Sequence, residues 1–493
     1  MNIHILNNNT NCKAENGETL LAALVRGGIV IDAPCGGRGF CGKCRVRLAR
    51  GNIRPLAGRK AADSAGFILA CQAIPETDLT IELPRHDDSV QNEVDTVVRN
   101  VKTPARAGIA LDLGTTTVSA QLVNMDGNEV LDTHSELNDQ RVFGADVMSR
   151  INAAKNGKTG ELFTLINRQT DRTIRRFCEK WGIARIEKLV VAGNTTMLHL
   201  FTGTDPSSMG EVPFTPVFLE TRQFRGEELS LPVEHITVLP SIAAFIGGDI
   251  VSGLASLDIL AGADNSLLID IGTNGEMALF HEGRIYCCST AAGPALEGAE
   301  ISCGMGGVTG AISRITRENG NLSFTVIGNT EPRGICGSGL IDIMALMLRE
   351  GIFDETGALD DAFSGGFALT ENISIINRDV RQYQLAKSAI LSGIKILCKN
   401  AGLALDGIGT VYIAGGLGFF INKENAVATG LLPREFLDRI AVCGNLSLRG
   451  ALRCLGTDTD FLAACDRIIA KSVNIDLAAD TAFMDEFAEN MLF

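Results

Sequence analysis

IALDLGTTTVSA at residues 109–120 and LLIDIGTNGEMA at residues 267–278 are two versions of one phrase: an aliphatic run, an aspartate, another aliphatic residue, then Gly-Thr-Thr or Gly-Thr-Asn. The aspartates, Asp112 and Asp270, stand 158 positions apart. An internal repeat of this kind predicts two similar halves facing each other across a cleft. The chemistry of the phrase suits a triphosphate. A carboxylate ending a hydrophobic strand points into the cleft and can hold Mg2+ directly or through water. The turn that follows offers backbone N–H groups and hydroxyls to phosphate oxygens. One D-x-G-T is also an ordinary β-turn, whereas two in register are a strong signal.

Around these phrases, from Ile109 to about residue 475, strand-like aliphatic runs alternate with Gly turns and amphipathic helices, the rhythm of an α/β fold. The other runs are KLVVAGNTTMLHLF at 188–201 and TVYIAGGLG at 410–418. Aromatic residues make up only 5% of the chain, so its cores are expected to be built from aliphatic side chains, as in buried sheets.

The N-terminal part carries different chemistry. Cys35, Cys41 and Cys44 lie in APCGGRGFCGKCRVRL at 33–48 with C-x5-C-x2-C spacing, and Cys71 follows in LACQAIP. Two irons need four thiolates, and three can come from one tight loop only if small residues let the backbone wrap the sulfides. Gly36, Gly37, Gly39 and Gly42 meet that need. C-x2-C is also a zinc knuckle, but zinc ribbons pair two such units and only one is present. MNIHIL reads as an edge strand, GETLLAALVRGG as a short amphipathic helix, and RVRLA and DLTIELP as further strands. This is the order of a β-grasp ferredoxin domain with a [2Fe-2S] cluster.

At 493 residues the chain is too long for one ordinary core. The expected division is a ferredoxin-like domain at 1–84, a linker at 85–106, and an ATPase domain at 107–493. The last splits into subdomains at about 107–250 and 251–475, with a C-terminal tail. The linker, RHDDSVQNEVDTVVRNVKTPAR, is charged and poor in large apolar residues. At up to ~3.3 Å per residue it could let the cluster domain move relative to the rest. A formal charge of −14 argues against nucleic acid or an anionic membrane as partner. The most apolar tract is broken by Asp249 and Asp258, so no membrane span is expected. Fourteen cysteines are dilute at this length, and without a secretory signal a reducing, cytoplasmic location is expected. The ten outside the quartet read as small buried hydrophobes.

The phosphate phrases, VVAGNTTMLHL and VYIAGGLG together resemble the acetate and sugar kinase, heat-shock chaperone and actin superfamily, with duplicated ribonuclease-H-like subdomains. Four further stretches narrow the match: AAGPALEGAEISCGMGG at 291–307, GICGSGLID at 334–342, DVRQYQLAKSAILSGIKIL at 379–397 and CGNLSLRGA at 443–451. With the cluster domain in front, these resemble the reductive activators of corrinoid-dependent methyltransferase systems. The resemblance implies ATP-driven return of a corrinoid from Co(II) to Co(I). The implied partners are a corrinoid protein of a methyltransferase or O-demethylase system and a low-potential electron donor; a homodimer is also compatible. It further implies that the extra middle domain of long members is missing here, because Pro104 leads almost directly into the first phosphate phrase. Ferredoxin clusters lie near about −400 mV, and the resemblance places the cobalt couple lower. Each ~100 mV uphill costs about 2.3 kcal/mol per electron. A nucleotide preferring one conformation by roughly 10^4 supplies about 5.5 kcal/mol. Two readings of other classes stay open: a redox-sensing small-molecule kinase, and a nucleotide-dependent redox switch.

On this reading Asp112 and Asp270 hold Mg2+ and position water, and Asp249 or Glu276 aligns the attacking water. Thr115, Thr116, Thr273 and Asn274 donate to phosphate, while Gly114, Gly272 and Gly275 serve backbone geometry. Asn194 and Thr195 either touch the γ-phosphate region or cap a helix. Gly415 and Gly416 let the backbone pass close to the nucleoside. GICGSG is either an anion-binding helix entrance or a tight turn. Cys336, His199 and Trp181 read as structural.

Overall fold

The computed structural model describes the chain except residues 8, 32, 34, 38, 40, 41, 57–65, 84–102, 263, 264, 319, 418 and 419. Alternation decides the first sheet. In Asn2–Ile5 the side chains of Ile3 and Ile5 are fully buried while their neighbours face out. Five strands run in the spatial order Thr10–Lys13, Asn2–Ile5, Leu79–Glu82, Arg45–Arg50, Phe67–Leu69. Asn2–Ile5 is therefore an inner strand, pairing antiparallel with Thr10–Lys13 and parallel with Leu79–Glu82, and not the expected edge. The edge is Thr10–Lys13, which buries only Cys12 and so lacks the apolar alternation that reveals a strand. Helix Leu20–Arg26 turns Leu20, Leu21, Ala23 and Leu24 inward, with the Thr19 hydroxyl accepting from Ala22 N at its start. Most of the expected linker, 84–102, lies outside the described residues.

The two phosphate phrases each open a six-stranded sheet with the same plan. In the first lobe Ala107–Leu113 pairs antiparallel with Thr117–Asn124, which pairs antiparallel with Glu129–Leu137. On its other side Ala107–Leu113 lies parallel to Ile186–Gly193. In the second lobe Ser266–Ile271, Gly275–His281 and Arg284–Thr290 repeat the meander, and Thr410–Ala414 takes the parallel position. Asp112 faces Ala192 in the parallel partner, and Asp270 faces Ala414. The repeat in sequence is thus a repeat in register.

Helices Gly248–Ser256 and Leu446–Gly456 lie between the sheets. Ile250, Leu254 and Ala451 share a buried cluster with Ala110 and Val190 of the first sheet and Leu268 and Ala278 of the second. The helices cross closely because position 450 is glycine: a Cβ there would sit 2.4 Å from Ser252 O. The subdomain boundary expected at 250 falls inside the Gly248–Ser256 helix, and the second sheet begins at Ser266. The tail after 475 folds back as helix Thr481–Glu489. The polar stripe of DVRQYQLAKSAILSG holds it, with Lys387 Nζ donating to Asn490 O at 2.9 Å and Gln384 Nε2 to Met491 O at 2.8 Å. Among the described residues no helix is long and apolar enough to cross a membrane.

Candidate functional sites: a thiol loop and a two-walled cleft

The loop after helix Leu20–Arg26 takes left-handed backbone at Gly36, Gly37, Gly39 and Gly42, with φ of +59°, +80°, +83° and +70°. Such angles strain any other residue. A Cβ at Gly37 would stand 3.3 Å from Leu21 Cδ2 and 3.8 Å from Cys71 Cβ, so the loop closes on the fourth cysteine. Gln72 fastens the two segments, its Nε2 donating to Gly39 O at 2.7 Å, and Ala70 N donates to Cys44 O at 2.8 Å. Cys35, Cys44 and Cys71 are buried. A hydrogen bond from Cys71 draws the Cys44 thiol down to about 7, although burial opposes this. Cys41 lies outside the described residues. Paired thiols in a glycine cradle have the donor chemistry of an iron-sulfur site. The loop also touches the first lobe: a Cβ at Gly36 would be 2.8 Å from Phe143 O.

The first phosphate loop is held from beneath. Gly114 N donates to Thr117 O at 3.0 Å, and a Cβ at position 114 would press that oxygen at 2.6 Å, so the turn needs glycine. Asn138 Nδ2 donates to Gly114 O at 2.8 Å, and Arg150 Nη2 to Thr115 O at 2.5 Å. Arg150 is fully buried, and its Nε donates to Gly144 O at 3.2 Å, next to the peptide that the thiol loop touches. Burial lowers its pKa to about 9. Asn194 caps the helix Thr195–Phe201, one of its two expected roles, and also reaches the first loop. Its Oδ1 accepts from Met197 N at 3.0 Å as a helix cap, and its Nδ2 donates to Thr115 Oγ1 at 2.8 Å. Thr195 differs from expectation: its hydroxyl donates to Ala243 O at 2.7 Å, and it is absent from the cleft lining. The cause is the close approach of IGGD, where a Cβ at Gly247 would meet Thr195 N at 2.6 Å.

The second loop closes one residue tighter than the first, with Gly272 N donating to Asn274 O at 3.1 Å and Asn274 Nδ2 to Glu276 Oε1 at 3.1 Å. Between the loops opens a cavity of about 540 Å³, lined by Asp112, Asp249, Asp270, Glu276 and both Gly-Thr turns. That size holds a nucleotide. Gly415 and Gly416 line it, and a Cβ at Gly415 would lie 2.6 Å from Asp270 Oδ1. Cys336, Gly337 and Ser338 at the start of helix Gly337–Arg349 also reach the cavity.

Five carboxyl groups converge on the cleft, Glu276 buried and Asp112, Asp249, Asp270 and Glu297 partly buried. Burial and the neighbouring Asp112 push Asp249 up to about 7. Burial, then Asp249, Asp112 and Glu297, push Asp270 up to about 8. Glu276 is raised well above the carboxylate range for the same reasons, and burial raises Glu297. Asp112 is raised by burial but accepts from Ser447 Oγ at 2.6 Å and Asn445 Nδ2 at 2.7 Å. A divalent cation would favour the charged form of all five, which is the chemistry expected of an Mg2+ site. Among the described residues no group of three or more His, Cys, Asp or Glu side chains forms a ready ligand set for a metal.

Glu297, Asn445, Ser447, Asn138 and Arg150 were not legible as site residues. Glu297 and the Asn445–Ser447 pair lie in AAGPALEGAE and CGNLS, stretches that carry the family resemblance without announcing a role. His199 is core, as expected. It stacks on Phe218 at 4.2 Å, its Nδ1 pairs with Thr195 O, and burial lowers it to about 4.

Comparison with known proteins covers the whole chain. Residues 3–76 match the 2Fe-2S iron-sulfur cluster binding domain family, residues 107–261 the RACo middle region, and residues 264–493 the C-terminal domain of RACo, the ASKHA domain. The segment between linker and second lobe, expected to lack a middle domain, is therefore the part that the family models describe as the middle region. The chain is 34% identical over 432 residues to the corrinoid activation enzyme RamQ of Eubacterium limosum, covering 81% of this chain and 72% of the relative. It is 30% identical over 377 residues to a Co(II) methylated amine-specific corrinoid protein reductase of Methanosarcina barkeri, covering 69% and 68%. A solved reductive activator for a corrinoid iron-sulfur protein matches 100% of this chain and 98% of its own, with TM-score 0.73 and 28% identity.

Proposed function

The chain belongs to the reductive activators of corrinoid proteins, and from that premise we propose that it uses ATP to drive one electron onto a corrinoid protein, converting Co(II) to Co(I). The observation that carries this reading is the union, in one chain, of a glycine-lined thiol loop and a cleft whose two walls bear the same phosphate phrase. Cys35, Cys41, Cys44 and Cys71 would hold a [2Fe-2S] cluster, which when bound supplies the one-electron carrier. Asp270 would hold Mg2+, which when bound neutralises phosphate charge; Asp112, expected to share that task, has both oxygens engaged by Asn445 and Ser447. Thr115, Thr116, Thr273 and Asn274 donate to the phosphates. Glu276 or Asp249 aligns the attacking water, while Asp112 fixes the first loop to the helix between the lobes. Gly415 and Gly416 leave room for the nucleoside. A low-potential donor feeds the thiol-loop domain, and the protein works in the cytoplasm.

The test is anoxic. ATP turnover should rise when a Co(II) corrinoid protein is added, and Cys71→Ala should still bind nucleotide but reduce no cobalt. Turnover indifferent to the corrinoid protein, or cobalt reduction surviving Cys71→Ala, would sink the proposal.

A further inference from the structure

Glu297 ends the short turn Pro294–Glu297 that follows the third strand of the second lobe. Its Oε2 accepts from Thr116 Oγ1 at 2.9 Å and also, in a short bond, from Thr273 Oγ1. These threonines belong to opposite phosphate loops, and their hydroxyls lie 3.2 Å apart. Arg150 acts on Glu297 only through space. The carboxylate is held in place by close packing on either side. A Cβ at Gly337 would sit 1.8 Å from Leu296 O, and one at Gly298 would sit 2.1 Å from Met305 O. An anionic oxygen with two converging hydroxyl donors meets the same demand as a phosphate oxygen.

We infer that Glu297 is a phosphate surrogate: it occupies the Thr116 and Thr273 hydroxyls that a triphosphate oxygen needs, links the two lobes through them, and is displaced when ATP binds. This rests on the cleft being an ATP site. Displacement must move the Leu296–Glu297 turn, which abuts the start of helix Gly337–Arg349. The same chain segment continues to Ser302, whose N and Oγ donate to Asp379 at 2.7 and 2.5 Å in the first turn of helix Asn377–Ala401. Nucleotide arrival is thereby felt at two long helices of the second lobe, away from the phosphates themselves.

The sign of one binding constant separates this role from its rivals. A brace that shapes the loops would help ATP bind, and a catalytic base would leave binding unchanged and lower turnover. A surrogate competes. Binding of a non-hydrolysable ATP analogue with Mg2+ to the full chain, followed by calorimetry, should tighten by about tenfold in Glu297→Ala, because two charge-assisted bonds no longer compete. Glu297→Gln keeps the shape and one acceptor oxygen, and should fall between wild type and alanine. Unchanged or weaker binding in Glu297→Ala would overturn the inference, as would equal tightening in both variants, which would mean that only the charge matters. If the alanine protein does not fold, unchanged or weaker binding in Glu297→Gln overturns it alone. A wild-type protein that binds no nucleotide would instead overturn the functional reading on which it rests.

Discussion

Asp112 and Asp270 stand at equivalent places in one repeated phrase, on equivalent strands, yet their surroundings differ. Both oxygens of Asp112 accept hydrogen bonds from the segment that starts the interlobe helix Leu446–Gly456. Asp270 has no such donor among the described residues; it lines the cleft close against Gly415, with Asp249, Asp112 and Glu297 as charged neighbours. Duplication thus supplied two identical carboxylates, and tertiary contacts divided them: Asp112 is tied to the interlobe helix, and Asp270 is the one we propose for the cation. The partner position diverges in the same way. Opposite Asp112 across the hairpin stands Ser119, and opposite Asp270 stands Glu276, so the second hairpin carries a facing pair of carboxyl groups where the first carries one.

The largest contrast is expected in turnover. Asp270→Asn should lower Mg2+-dependent ATP hydrolysis by about 10^2-fold or more, since a metal's Lewis-acid contribution amounts to several kcal/mol, with the fold intact by circular dichroism. Loss of comparable size in Asp112→Asn, without loss of stability, would erase the distinction.

The next contrast lies in pH. Burial and the neighbouring carboxylates push Asp249 up to about 7 and Asp270 up to about 8 in the folded protein, above the ordinary 3.8. Without a cation the folded state therefore retains protons that the unfolded chain has lost, and stability falls as pH rises from 3.8 toward about 8. Mg2+ must displace those protons, so its affinity should climb by up to ~10-fold per pH unit for each proton released, levelling above pH ~8. Titrations at pH 6, 7 and 8 would show it. Asp270→Asn should flatten the slope and Asp112→Asn should not.

Asp112→Asn should act on stability instead. Its amide can donate to the Ser447 hydroxyl and accept from Asn445, but it exchanges two hydrogen bonds to a carboxylate for weaker neutral ones, at a cost of about 1–2 kcal/mol, measurable by denaturant titration. The smallest effect is expected at Asn194, whose second-lobe counterpart by register is Gly416. Asn194→Ala removes a helix cap and should cost about 1 kcal/mol, whereas Gly416→Ala, with nothing within 4 Å of its Cβ, should cost little stability.

Local pattern revealed what local chemistry builds. The strand-ending aspartates, the left-handed glycines around the cysteines and the helix at Leu20–Arg26 were all readable, because each depends on neighbours a few residues away. The difference between the aspartates was not. Asn445 and Ser447 reach Asp112 from more than 330 positions downstream, and no spacing rule anticipates that. Glu297 was hidden for the same reason, since its partners Thr116 and Thr273 come together only when the lobes face each other. Arg150 sits in a short helix whose composition gives no hint that its guanidinium is buried beneath the phosphate loop. The inner position of Asn2–Ile5 went unread because its partner, Thr10–Lys13, has almost no apolar face.

The claim that joins the two halves of the molecule is that ATP drives the electron, and visible spectroscopy of a Co(II) corrinoid protein under anoxic conditions tests it most directly. Co(I) should form only when reductant, the cluster-bearing protein and Mg2+-ATP are present together, and Asp270→Asn protein with its cluster intact should give none. Co(I) appearing at full rate without ATP would contradict the account.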